Sequence, residues 1–336
     1  MFRNKERNKT IVKIILSLSL AMWLYYFIFF RDNPELVLDH MFSIPKQSYL
    51  YIFLTILFGW IAYVIRGFRW LSLIKAIGYE TTIMKSVAAV SFGYFVNLVL
   101  PRGGEIARCT SIYNTDKIPV DKLLGTILIE RVIDLIILIF LIIISLVLNY
   151  DIFLEIFDMT EQYTRSPINP FGIVIFLIFA IIFVFWRRIK SLKLYSKLVG
   201  FLLGIKEGFV SIKNLNSTKI FWVQTSFIWV MYFLMTFVCF FILPETTSLS
   251  LNDALLILVV GGLGMVIPVP GGVGSYHYLV MISLVSLGIG EYSITYAKEY
   301  NPALLFPFII HLSQTFLAII SGIISTFILF LNKGNE

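Results

Sequence analysis

Residues 123–148 read LLGTILIERVIDLIILIFLIIISLVL, an apolar run interrupted by ionisable side chains only at Glu130, Arg131 and Asp134. As a helix it is long enough to cross the roughly 30 Å hydrocarbon core of a bilayer. Each charge at the centre of such a helix costs roughly 2.5–3.5 kcal/mol on insertion scales. Three together need partners, a water-filled cavity or a function that retains them. The run therefore fixes two expectations: a membrane helix, and something polar inside the bundle around it.

Composition agrees with the first. Hydrophobic residues make up 58% of the 336 residues and charged residues 14%, where soluble domains carry about 25% charged residues; mean hydropathy is +0.87. Apolar segments near 11–30, 48–68, 122–148, 171–186, 220–243 and 303–331 predict six crossings at about 20 helical residues each. The start, with Arg3, Lys5, Arg7 and Lys9 before the run Ile11 to Phe30, has the charge pattern of a secretory signal. The run is too long for a signal core and no small-residue cleavage site follows, so an uncleaved first helix is expected.

Two further apolar regions are broken. Ser86 to Leu100 runs into Pro101-Arg102-Gly103-Gly104, and Ala254 to Ile267 runs into Pro268-Val269-Pro270-Gly271-Gly272-Val273-Gly274 before Ser275 to Gly290 continues. Arms of about 15 residues reach only about 22 Å. Backbone freed by proline and glycine survives at membrane depth only inside protein or against an aqueous cavity. Both regions are expected to be re-entrant hairpins; the alternative is two short helices joined by a surface loop.

Charge placement favours the hairpins, since cytoplasmic loops are enriched in Lys and Arg. With a cytoplasmic amino terminus and neither hairpin crossing, and with Arg102, Arg108 and Arg131 set aside as groups at depth, only Arg31, Lys46, Arg165 and Lys298 fall outside. Both termini are then cytoplasmic. The expected fold is an all-α polytopic membrane protein with about six full crossings plus two Pro/Gly-broken re-entrant hairpins. It forms a single integral membrane domain, 1–336, built as an inverted repeat of about 48–148 and about 220–331. Each half holds a crossing, a hairpin, and a crossing with polar groups three residues apart: Arg131 with Asp134, and His311 with Gln314.

The loop 187–219 is the largest basic cluster, and Leu194, Leu198, Phe201, Leu202, Ile205, Phe209 and Ile212 recur in it at helical spacing. An interfacial amphipathic helix facing anionic lipid fits, as does ordinary positive-inside topology. Arg66 and Arg69, at a helix end beside Trp70, read as snorkelling interface anchors. Cys109 and Cys239 lack any CxxC spacing and read as packing residues. The histidines are His40, His277 and His311, and no HExxH, Gly-x-Ser-x-Gly, P-loop or dinucleotide fingerprint occurs. No catalytic residue, metal or cofactor is expected. Nor is a nucleic-acid partner: the net charge of +7 is explained by cytoplasmic loops.

Three strings together suggest a family. Asn97-Leu98-Val99-Leu100-Pro101-Arg102-Gly103-Gly104-Glu105, then Glu130-Arg131-Val132-Ile133-Asp134, then Gly261-Gly262 with Pro268 to Gly274 resemble, in order and spacing, the flippase-like transmembrane region of lysylphosphatidylglycerol synthases, from about residue 10 to residue 330. In the bifunctional members a soluble aminoacyltransferase domain makes the lipid and the membrane region moves it. This chain ends at Glu336 shortly after its last apolar segment, so the resemblance implies the translocating half without the synthetic one. His311 stands where relatives often carry an arginine; its ordinary pKa near neutrality would let it titrate, with proton coupling.

The site expected from these residues is a polar groove for a lipid head group. Arg102 and Arg131 would meet phosphate oxygens. Free amides near Gly103-Gly104 and Gly271-Gly272 would add donors, with Pro270 and Gly274 lining the same pathway. Glu105, Glu130 and Asp134 would hold the arginines or receive a cationic head group, with His311 and Gln314 opposite. Alternatively Glu130, Arg131 and Asp134 only lock helices together. Three functions follow as expectations: a flippase for a membrane phospholipid or polyprenyl-phosphate lipid; a lipid-modifying enzyme with His311 or Glu130 as base; or a non-catalytic partner of a synthase or glycosyltransferase.

Overall fold

The structure, a computed structural model, describes Ser19, Met22, Trp23 and residues 26–31, 34–100, 102–156, 218–267, 269–293 and 300–331. The expected crossing at 171–186, most of the first crossing at 11–30, almost all of the basic loop 187–219, and Pro101 and Pro268 lie outside the described residues. Among those described the chain is helical, with no strand. The helices are α1 Pro34–Phe42, α2 Ser48–Ala76, α3 Ile83–Val99, α4 Gly103–Asp116, α5 Val120–Leu148, α6 Thr218–Cys239, α7 Leu251–Val266, α8 Ser275–Ser286 and α9 Pro302–Leu331.

Four of these, α2, α5, α6 and α9, are long and apolar enough to cross a membrane. α3 and α7, of 17 and 16 residues, rise only about 25 Å at 1.5 Å per residue. α2 corrects the sequence reading. Its apolar stretch was expected to end near 68, but the helix runs on to Ala76, because the residues that lower its hydropathy there face the bundle interior. Arg66 and Arg69 are 5% and 0% exposed and Trp70 is 0% exposed, so none of them snorkels to an interface.

Each broken region forms an antiparallel helical hairpin. In the first, the Thr82 hydroxyl caps α3 by accepting from the Lys85 amide at 3.2 Å. The chain reverses at Arg102, which holds φ 60, a left-handed conformation uncommon for a residue with a side chain, and returns as α4. The arms close where Gly93 meets Gly104: a Cβ on Gly104 would overlap the Gly93 carbonyl oxygen. Small residues of this kind let helix backbones approach in a membrane protein. At the open end Lys85 Nζ lies 2.7 Å from Asp116 Oδ1, and the Thr81 and Thr115 hydroxyls donate to Asp116 Oδ2. Both side chains of this pair are only 15% exposed, and removing one partner of a largely buried pair leaves the other charge uncompensated. Lys85→Met is therefore expected to lower the thermal unfolding midpoint of the detergent-solubilised protein.

The second hairpin is built alike. Ser250 and Asp253 form a capping box at the start of α7. The loop before α8 carries Gly271, Gly272 and Gly274 at φ 59, 76 and 86. Gly264 abuts Tyr276, with a Cβ there only 2.8 Å from the Tyr276 Cα, and the Ser275 hydroxyl donates to the Gly264 carbonyl at 2.8 Å.

The two halves exchange contacts. α2 packs on α6, while α9 lies along α3 and α5 lies along α7, so the last helix of each half rests on the first hairpin arm of the other. α9 is the post at the centre: 67% of its most apolar stretch is buried, against 17% for α5. The tips of the two hairpins meet, and a Cβ added at Gly271 would lie 3.7 Å from the Leu98 side chain.

Candidate functional site

Glu130, Arg131 and Asp134 lie on α5, and helical geometry divides them. Glu130 and Asp134, four residues apart, share the face turned inward and are 1% and 9% exposed. Arg131 points elsewhere, as the intervening residue must.

The inward face meets arginines from two other helices. Arg69 grips Asp134 with a two-pronged fork, Nη1 to Oδ1 at 2.8 Å and Nη2 to Oδ2 at 3.1 Å, and reaches Glu130 Oε1 at 3.4 Å. Arg66 donates to Asp134 Oδ2 at 3.0 Å and to the Tyr232 hydroxyl at 2.8 Å. Arg108, from α4, donates to Glu130 Oε2 at 2.8 Å and stacks its guanidinium 3.7 Å over the Trp70 ring, a favourable cation–π arrangement where water is excluded. Trp70 is fixed in turn by its indole N–H on the Thr126 hydroxyl at 2.8 Å. This network ties α2, α4, α5 and α6 together, and three guanidinium groups share two carboxylates within it.

Glu130 and Asp134 thus hold Arg66, Arg69 and Arg108, where the sequence reading gave them Arg102 and Arg131 or a cationic head group. Arg66 and Arg69 could have been suspected as partners from their i, i+3 spacing on one helix face. The drop in hydropathy beyond residue 68 hid them.

Outside the network, between the hairpin tips, lies a cavity of about 450 Å³. The first tip supplies Asn97, Arg102 and Glu105, the second supplies Met265, Val266, Ile267, Val269, Gly271 and Gly272, and α5 supplies Arg131. Arg131 Nε lies 2.7 Å from Glu105 Oε1, and these side chains are 45% and 37% exposed. Arg102 bridges the tips by donating to the Val266 carbonyl at 3.2 Å.

Several other expected site residues serve the loops. The Gly103 amide donates to the Leu100 carbonyl at 2.9 Å, the Gly104 amide to Asn97 Oδ1 at 2.8 Å and the Gly272 amide to the Val269 carbonyl at 3.1 Å. These amides are turn hydrogen bonds and not free anion donors, because tight turns consume their own N–H groups. Pro270 is buried in the second tip, and the Gly274 amide donates to His277 Nδ1 at 3.3 Å. His311 Nε2 donates to the Gly271 carbonyl at 2.6 Å, tying the second tip to α9. Gln314 turns to α2, where its amide reaches the Thr55 carbonyl at 3.4 Å; neither His311 nor Gln314 lines the cavity. Cys109 and Cys239 are buried free thiols.

The family model described as the lysylphosphatidylglycerol synthase TM region matches residues 11–322. No curated protein and no solved structure matches the chain. With that match and four helices of spanning length, this is an all-α integral membrane protein.

Proposed function

Because the chain belongs to the family of the lysylphosphatidylglycerol synthase transmembrane region, we propose that it moves a phosphate-bearing lipid between the leaflets of the cytoplasmic membrane, the head group passing through the cavity between the hairpin tips. The observation that carries this reading is the meeting of two helix-breaking tips around a cavity lined by Arg102, Glu105 and Arg131, inside a bundle otherwise dressed for lipid.

A head group crossing a bilayer loses its hydration while its tails stay in hydrocarbon. Fixed dipoles and charges inside the protein replace that hydration and lower the barrier. The planar forks of Arg102 and Arg131 match phosphate oxygens better than a lysine would. The acyl chains would follow the outer face of α5, where Leu135, Ile139, Phe140 and Ile143 are exposed. Arms shorter than the hydrocarbon core support hairpins that enter and leave on one side, one from each leaflet, with both termini cytoplasmic. Transport proceeds without ATP hydrolysis by this chain.

The test is exchange of fluorescent phospholipids and of a polyprenyl phosphate in proteoliposomes. The wild type is expected to accelerate exchange of at least one of them. Arg131→Ala is expected to slow that exchange at least about tenfold, equivalent to about 1.4 kcal/mol of barrier, while eluting as a folded monodisperse protein. Vesicles with wild-type protein that exchange no lipid faster than protein-free vesicles would refute the reading.

A further inference from the structure

Behind the Glu105–Arg131 pair lies a second, inner pocket of about 20 Å³, lined by Arg66, Tyr94, Asn97, Glu105, Arg108 and Arg131 among others. That is room for one oxygen-sized group. Asn97, Glu105 and Arg131 line both this pocket and the large cavity, so they form the partition between them. Arg108 is 5% exposed. Its Nη1 is taken by Glu130, one face is covered by Trp70, and its Nε and Nη2 find no acceptor among the described residues.

Buried donors without acceptors are uncommon and destabilising, more so on a charged group. The surrounding charge points the same way, since the carboxylates of Glu130 and Asp134 are shared among Arg66, Arg69 and Arg108 and leave one positive charge in excess. Among the residues lining the two cavities, Glu105 is the one carboxylate a cationic group could draw from its partner.

We infer that Arg108 forms an inner oxyanion subsite, which takes one non-bridging phosphate oxygen of a net-anionic head group when that group displaces Glu105 from Arg131. The inference rests on the proposed phosphate-lipid reading and narrows it: the site selects anionic phosphate head groups over head groups carrying a cation. Arg131, released from Glu105, contacts the same phosphate from the outer side, so the pair acts as the gate between cavity and subsite.

Binding is measured on detergent-solubilised full-length protein in a phosphate-free detergent, with soluble short-chain phosphatidylglycerol as the probe. Short-chain diacylglycerol and inorganic phosphate serve as comparisons, and tryptophan emission is the readout, because Trp70 stacks on the binding group. Phosphatidylglycerol is expected to give a saturable change that Trp70→Phe removes, and diacylglycerol none. Arg108→Lys, which keeps a cation beside Glu130 but loses the fork, is expected to weaken binding at least about tenfold, 1.4 kcal/mol.

Should Arg108→Lys fail to fold, Glu105→Gln carries the test. It removes the competing carboxylate from a half-exposed position and is expected to tighten phosphatidylglycerol binding. Equal affinity of wild type and Arg108→Lys, unchanged or weaker affinity in Glu105→Gln, or equal responses to phosphatidylglycerol and diacylglycerol would each overturn the subsite. Inorganic phosphate binding as tightly as the lipid would overturn the lipid as its occupant. Saturable, Arg108-dependent binding by a protein that exchanges no lipid would keep the subsite and discard the flippase reading; full-rate exchange by Arg108→Lys would do the reverse.

Discussion

Asp134→Ala is expected to cost about 3–5 kcal/mol of stability, the usual effect of removing one partner from a buried ion pair. Asp134 accepts the fork of Arg69 and a further bond from Arg66, so its loss leaves Arg66, 5% exposed, with the neutral Tyr232 hydroxyl and Arg69, 0% exposed, with contacts of 3.4 Å to Glu130 and Thr225. Neither can turn to water, because both rise from the middle of α2 toward α5 and α6. The variant should reach the membrane poorly and unfold at a much lower temperature in detergent, as followed by size-exclusion elution after heating. Replacing Arg131 instead removes a half-exposed partner of Glu105 and should leave that elution profile intact. A protein in which Asp134→Ala and Arg131→Ala are equally stable would contradict the division of α5 into a structural face and a transport face.

Gly104→Ala should be the second large effect. A single methyl there would overlap the Gly93 carbonyl oxygen. That oxygen belongs to backbone in the middle of α3, so the two arms must part. Overpacking of this kind costs about 1–3 kcal/mol, and parting the arms moves Arg102 and Glu105 away from the second tip. Lipid exchange is therefore expected to fall to the vesicle background even where the protein still folds. Gly125→Ala is the matched control. Nothing lies within 4 Å of a Cβ at that position, and alanine is favoured over glycine within a helix by about 0.8–1.0 kcal/mol, so neither stability nor exchange should drop. Equal outcomes for the two alanines would show that the Gly93–Gly104 approach does not govern the tip.

How far these features could be read from the sequence follows from the range of the interactions that make them. Apolar length is local, and the segments at 48–68, 122–148, 220–243 and 303–331 correspond to α2, α5, α6 and α9. The breaks are local too: Arg102 and the glycines at 271, 272 and 274 hold positive φ where proline and glycine cluster in the chain. The need for partners around Glu130 and Asp134 was equally legible, since charge at membrane depth demands them. Their identity was not, because Arg66 and Arg69 lie more than sixty residues away in the chain, on a helix whose apolar signal ends just where they occur.

The amides show a different limit. A glycine-rich break announces freed backbone, but Asn97 and the carbonyls of Leu100 and Val269 recapture three of those N–H groups within the turns themselves. His311 and Gln314 share the i, i+3 spacing of Arg131 and Asp134, yet they address the Gly271 carbonyl and α2. Spacing on a helix tells which residues share a face; only the packing of neighbours tells what that face meets.

The passage of a head group between the hairpin tips is tested most directly by plugging the cavity. Cys109 and Cys239 are fully buried, so a cysteine introduced as Val269→Cys, on the cavity wall, is the thiol that a bulky maleimide reaches. Alkylation of Val269→Cys in proteoliposomes is expected to bring lipid exchange down to the rate of protein-free vesicles, while alkylation of Gly125→Cys leaves it unchanged. Exchange that continues at the unlabelled rate with Val269→Cys fully alkylated would contradict passage through this cavity.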